Sequence, residues 1–195
     1  MKPTAISLKQ NQVEQKTQLE DDAKEPIGHL IEHRLPWLTL GLFGGMITAV
    51  IVSKYESVLS GDIRLAFFLP IIVYMSDAVG TQTETIYVRH LAKKGAGITG
   101  YLAKEILLGL GLGLIFGVAL AVFAHLWLHS IKIAWTVGLA MFINVLVAPV
   151  LALAIPTILA REHTDPALGA GPFATIMQDL ISILIYFFIA TVIIF

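Results

Sequence analysis

The sequence predicts an all-α, polytopic membrane protein with five transmembrane helices, its N-terminus cytoplasmic and its C-terminus outside. Three observations carry this reading. The chain is 56% hydrophobic and 14% charged, with mean hydropathy +0.80, far from the composition of a soluble domain. The charges are unevenly spread, with five Lys/Arg and six Asp/Glu in the first 34 residues and mostly apolar runs after them. Five of those runs reach the length of about 20 residues that a bilayer crossing needs. A chain of 195 residues cannot hide so much apolar surface in a water-soluble core, so lipid is its solvent.

The N-terminus, MKPTAISLKQNQVEQK, is polar and has no apolar stretch leading to a small-residue cleavage site, so it does not read as a signal peptide. Residues 1–25, rich in Gln, Lys and acids, are expected to be a disordered cytoplasmic tail. Residues 26–34 (PIGHLIEHR) are expected to form a short amphipathic connector helix. Residues 35–195 form the five-span domain, with spans expected over 35–55, 65–90, 102–128, 133–160 and 172–195. With the N-terminus inside, inner segments carry ten Lys/Arg and outer segments three, namely Lys54, Arg64 and Lys132. That is a clear positive-inside bias. The absence of cysteine excludes disulfides and thiolate metal sites. With no basic stripe, nucleic acid is excluded as a partner.

Polar residues at membrane depth carry the functional argument. Asp179 lies in TIMQDLISILIYFFIATVIIF, with no other charge from Pro166 to Gln178 or from Leu180 to Phe195. A central Asp costs roughly 2.5–3.5 kcal/mol on insertion scales, which points to an ionic ligand. Span two concentrates Ser76, Asp77, Gly80, Thr81, Gln82, Thr83, Glu84 and Thr85 in one run. Asp77 and Glu84, seven residues apart, fall on nearly the same helix face. An acidic stripe of this kind fits a wet cavity better than lipid. Glu84 also fits an interfacial carboxylate paired with Arg89 or Lys93.

In HTDPALGAGPFATIMQD, Thr164 or Asp165 is placed to cap a helix with Pro166 in its first turn. Pro172 cannot donate to the Leu168 carbonyl, so a break or kink is expected there. Gly171 and its small neighbours leave room beside it, and Thr175 sits one turn before Asp179. Carboxylates with nearby hydroxyl and carbonyl oxygens suit a hydrated hard cation such as Mg²⁺ or Mn²⁺. Asp165 would attract or release the ion at the cytoplasmic mouth.

Other polar positions have structural readings. Asn144 is counted among the pore-lining candidates, although an interhelical hydrogen bond is its commoner role. Pro149 and Pro156 are expected to bend span four. Glu105 beside Lys104 reads as an interfacial cap, and His125 with His129 as anchors at the outer end of span three. Gly113 and Gly117 form a small-xxx-small pair that signals close helix packing.

Four segments carry a family resemblance: RLPWLTLGLFGG, LPIIVYMSDAVGTQTETIYVRHLA, KEILLGLGLGLIFG and DPALGAGPFATIMQD. In order and spacing, residues 34–195 resemble the membrane domain of the MgtE-type magnesium channel/transporter family. The resemblance implies five transmembrane helices, a homodimer, and a cation pore lined mainly by spans two and five. It implies that Asp179 corresponds to the family's metal-binding carboxylate. The family's Gly-Gly-Asn-x-Gly run reads Ser76-Asp77-Ala78-Val79-Gly80 here, and Gly171 stands where many members have Asn. The large cytoplasmic regulatory region of typical members has no counterpart in the 34 residues before span one, and the sequence identifies no regulatory subunit.

Three functional classes follow. The first is divalent-cation permeation, with Mg²⁺ or Mn²⁺ as transported ion and no resident cofactor, across the inner (plasma) membrane. The second is exchange of the cation against protons or sodium. The third, a non-transport intramembrane protein, is disfavoured, although Asp77 and Asp179 could mimic an aspartyl-protease pair.

Overall fold

The computed structural model describes residues 26–91, 98–161 and 166–195. The disordered tail expected over 1–25 lies outside them. The chain divides after Pro36 into two compact units, and residues 37–195 carry the helical core. Among the described residues there is no strand, and five helices are long and apolar enough to cross a membrane. They are α1 (Ile27–Ser53), α3 (Leu69–Leu91), α4 (Ile98–Leu128), α5 (Ile131–Arg161) and α6 (Pro166–Ile194).

Two short pieces join α1 to α3: α2 (Glu56–Gly61) and a 3₁₀ turn (Ile63–Phe68). The turn starts at Asp62, whose carboxylate accepts from the Arg64 amide at 3.1 Å and from the Arg64 guanidinium at 2.6 and 2.8 Å. It runs directly into α3, whose second residue is Pro70. A proline costs little there, because first-turn amides have no intrahelical partner. The α4–α5 turn is equally well specified. His129 adopts a left-handed φ of 51°, the usual way to end a helix, and the Ser130 hydroxyl caps α5 by accepting from the Ile133 amide at 3.4 Å.

The separate connector helix expected over 26–34 is not seen, since α1 begins at Ile27 and continues through Pro36 to Ser53. Nor does the chain break at Pro172, which lies inside α6. The reason is the same for both. A proline deletes one backbone bond, whereas unwinding a turn inside lipid would strand several donors and acceptors. Pro149 and Pro156 likewise sit inside an unbroken α5.

The core centres on α5, which packs on α3, α4 and α6. Ile133, Val137, Ala140, Met141, Val145 and Ala148 are buried along it. Glycine sets its approach to α4. A Cβ at Gly117 would lie 2.7 Å from the Gly138 carbonyl oxygen, and one at Gly113 would lie 2.8 Å from the Phe142 carbonyl oxygen. The predicted Gly113/Gly117 pair therefore packs within the chain. Gly109 rests against the Val145 carbonyl, the one that Pro149 leaves without its helical donor.

At the α2 end, Val58, Leu65, Phe68, Tyr186 and Phe187 form an apolar cluster. Tyr55 stacks on Phe187 at 4.5 Å, and the buried Tyr186 hydroxyl donates to the Leu65 carbonyl at 2.6 Å. By contrast α1 is largely exposed, with Thr48 its buried residue. Gly44, one turn before Thr48, lies against Ile176 of α6.

Candidate functional site

Two parallel lines of residues run along α3. Ser76, Gly80, Thr83 and Tyr87, at helical spacings of four, three and four, are all buried against the bundle. Beside them run Asp77, Thr81 and Glu84, of which the two acids are half-buried and Thr81 is exposed. Helix α6 has the same organisation. Ala174, Gln178, Ser182 and Tyr186 face inward, while Gly171, Thr175 and Asp179 form the adjacent line.

The two acidic lines meet. The Thr175 hydroxyl hydrogen-bonds the Asp77 carboxylate, and Asp77 lies close enough to both Asp179 and Glu84 to interact with their charges. Three carboxylates and one hydroxyl, on two helices at membrane depth, thus share one neighbourhood. Gly171 has open space beside it. Among the described residues no group of three or more His, Asp or Glu converges on one point as a direct metal cage. The arrangement instead suits a cation that keeps part of its water shell and meets the acids through it.

Behind the acids the buried lines are joined by neutral hydrogen bonds. Gln178 donates its amide to the Ser76 hydroxyl. Ser76 donates to the Asn144 carbonyl at 3.3 Å. The Asn144 amide bonds the Ala140 carbonyl at 2.9 Å and the Ser182 carbonyl at 3.4 Å. Further along α3, Thr83 donates to Glu105 at 2.9 Å, and Tyr87 pairs with Thr157 at 2.9 Å.

Residues 69–189 match the family model described as MgtE, divalent cation transporter. The chain belongs to the MgtE family. It is 37% identical to a magnesium transporter MgtE of Enterococcus faecalis over 81% of its own length and 36% of the relative's. It is 33% identical to a magnesium transporter MgtE of Bacillus subtilis over the same shares of the two chains. A magnesium transporter MgtE of Thermus thermophilus is 28% identical over 80% of this chain and 35% of its own. The chain therefore spans little more than a third of the length of these curated relatives.

Within this MgtE-family chain, the predicted site residues separate into groups. Asp77, Glu84, Thr175 and Asp179 are brought together, with Thr81 and Gly171 on the same lines. Gln82 is exposed and lies about 140° around α3 from Asp77, and Ala78 is half-buried between them. Asn144 does not join the acidic line: it is 1% exposed and bonded inside the helix interface, because its amide satisfies two backbone carbonyls there. Asp165 lies outside the described residues.

Sequence reasoning missed Gln178 and the Thr83–Glu105 link, which makes Glu105 more than an interfacial cap. The signal available was the spacing of Ser76, Gly80, Thr83 and Tyr87, which marks a second, inward polar line. His125 borders an apolar groove of about 510 Å³ between α4 and α5, and His129 ends α4.

Proposed function

We propose that this chain carries Mg²⁺, or a related divalent cation such as Mn²⁺, into the cell across the inner membrane, through a pore at or near a homodimer interface. The N-terminus lies inside and the C-terminus outside. One observation carries the reading: Asp77 and Asp179, on different apolar helices, lie close enough for their charges to interact, with Thr175 of α6 on the Asp77 carboxylate. Buried acids of this kind mark ion pathways. Family membership supports the class of cargo.

Asp179 is the principal ligand, acting mostly through metal-bound water, and Asp77 shares it. Glu84 and Thr81 draw cations along the route, while Thr175 and Gly171 shape the site. In a two-fold dimer, one Asp179 from each chain would place two negative charges around a single dication. The protein acts as a transporter, without an enzymatic step. A second reading, exchange against protons or sodium, is favoured by Glu84, a third carboxylate within reach of Asp77.

The test is Mg²⁺ and Mn²⁺ influx into proteoliposomes, wild type against Asp179→Asn, with and without an imposed pH gradient. Flux that requires Asp179 and ignores the gradient supports the pore. Flux that follows the gradient supports the exchanger. Undiminished flux in Asp179→Asn removes the assignment of that residue.

A further inference from the structure

Ser76 and Gln178 are the immediate chain predecessors of Asp77 and Asp179. Their side chains meet in a direct hydrogen bond between α3 and α6, and both are buried, at 0% and 4% exposure. Spans two and five cross the membrane in opposite directions. In an α-helix the next residue is turned by about 100°. For two antiparallel helices facing each other, that rotation carries both following side chains out on the same side of the contact. The Ser76–Gln178 bond therefore presents Asp77 and Asp179 side by side, and Thr175 bridges to Asp77 on that side.

The bond is braced from α5. Ser76 also holds the Asn144 carbonyl of α5, and the Asn144 amide holds the Ser182 carbonyl of α6. Each of the three helices is thus tied to the other two by a buried polar contact. The Gln178 amide has its place next to Gly80, where a Cβ would stand 3.4 Å from Oε1. All the atoms of this triangle are neutral, so they fix distances without adding charge to the site. Interhelical hydrogen bonds in lipid contribute modestly to stability, and fixing register is the best-attested use of buried polar groups.

We propose that Ser76 and Gln178, braced by Asn144, are positioning residues that set the spacing of Asp77 and Asp179, and thereby which divalent cation the site favours. The inference rests on the transport reading given above. Mg²⁺ is small and holds its water tightly, whereas Ca²⁺ is larger and accepts more varied oxygen geometry. A site of fixed width discriminates between them, and a loosened one does not.

The experiment compares Mg²⁺ and Ca²⁺ influx into proteoliposomes for wild type, Ser76→Ala, Gln178→Met and the double variant, with Asp179→Asn in parallel. Removing supporting contacts around a metal site typically costs at least about tenfold. The expected result is a Mg²⁺-to-Ca²⁺ flux ratio changed by about that factor in each single variant. The double variant shifts no further, because the two residues act through one bond. Both fluxes falling in proportion, or an unchanged ratio, overturns the inference. Should Gln178→Met fail to assemble, Ser76→Ala decides alone, since it removes one oxygen and no bulk. If Asp179→Asn abolishes flux while the ratio holds in the other variants, only the positioning role falls. A wild type that carries no divalent cation overturns the transport reading, and this inference with it.

Discussion

The Thr175 hydroxyl reaches from α6 to the Asp77 carboxylate on α3, one helical turn from Asp179. On the transport reading proposed above, this contact places a neutral donor beside the two acids. Thr175→Val keeps the shape and removes the hydrogen bond. A bond to a charged group is worth about 1.5–3 kcal/mol, so Mg²⁺ influx should drop by about tenfold or more, measured as initial rate. Unchanged influx would mean that Asp77 keeps its orientation unaided.

The glycines of α4 make opposite predictions at neighbouring positions. Gly117→Val should destabilise the protein by roughly 1–3 kcal/mol or more, because the Gly138 carbonyl already occupies the space. Gly111→Ala has nothing within 4 Å of the new Cβ and should gain up to about 1 kcal/mol of helix propensity. Thermal melting in detergent distinguishes them, and equal effects would refute the close approach of α4 and α5.

The buried Tyr186 hydroxyl holds the Leu65 carbonyl. In Tyr186→Phe that carbonyl loses its partner, for a loss of about 1–2 kcal/mol. Transport per folded molecule should stay at the wild-type level, since the contact lies in the cluster around Phe68 and Phe187, away from the acids. A melting curve and a flux assay on the same preparation separate the two effects.

The side-chain hydrogen bond from Arg64 holds the Asp62 carboxyl below its ordinary value of 3.8. A depressed folded-state value contributes stability above the unfolded value and loses it as pH falls through the folded one. The melting difference between wild type and Asp62→Asn should therefore be constant near neutrality and shrink below about pH 4. A difference that does not change with pH would show that the ion pair contributes nothing to folding.

The spans were legible because lipid permits few solutions. Four of the five membrane-length apolar segments, those starting at Ile63, Gly100, Ile131 and Gly171, lie within two residues of the expected starts, and the acids of spans two and five were conspicuous against apolar neighbours. The rotation of each helix was not legible. Asp77 and Ser76 are adjacent in sequence, yet one lines the site and the other ties the helices together. That division depends on which neighbours pack against α3. Gln178 was overlooked for the same reason, standing beside a more expensive residue. Pro172 read as a break or kink, yet it lies inside an unbroken α6, because a helix in an apolar medium tolerates one missing bond more readily than an unwound turn.

The close seam between α4 and α5 has a mechanical consequence. At Gly113, Gly117 and Gly138 the facing backbone, with Phe142 and Ala121 beside it, already fills the space a Cβ would need. The two longest helices of the bundle are thereby coupled into one stiff body. On the transport reading proposed above, a motion that admits or releases a cation would leave that pair intact and fall to the other side, where α3 and α6 hold the acids and the sparsely packed α1 rests against Ile176.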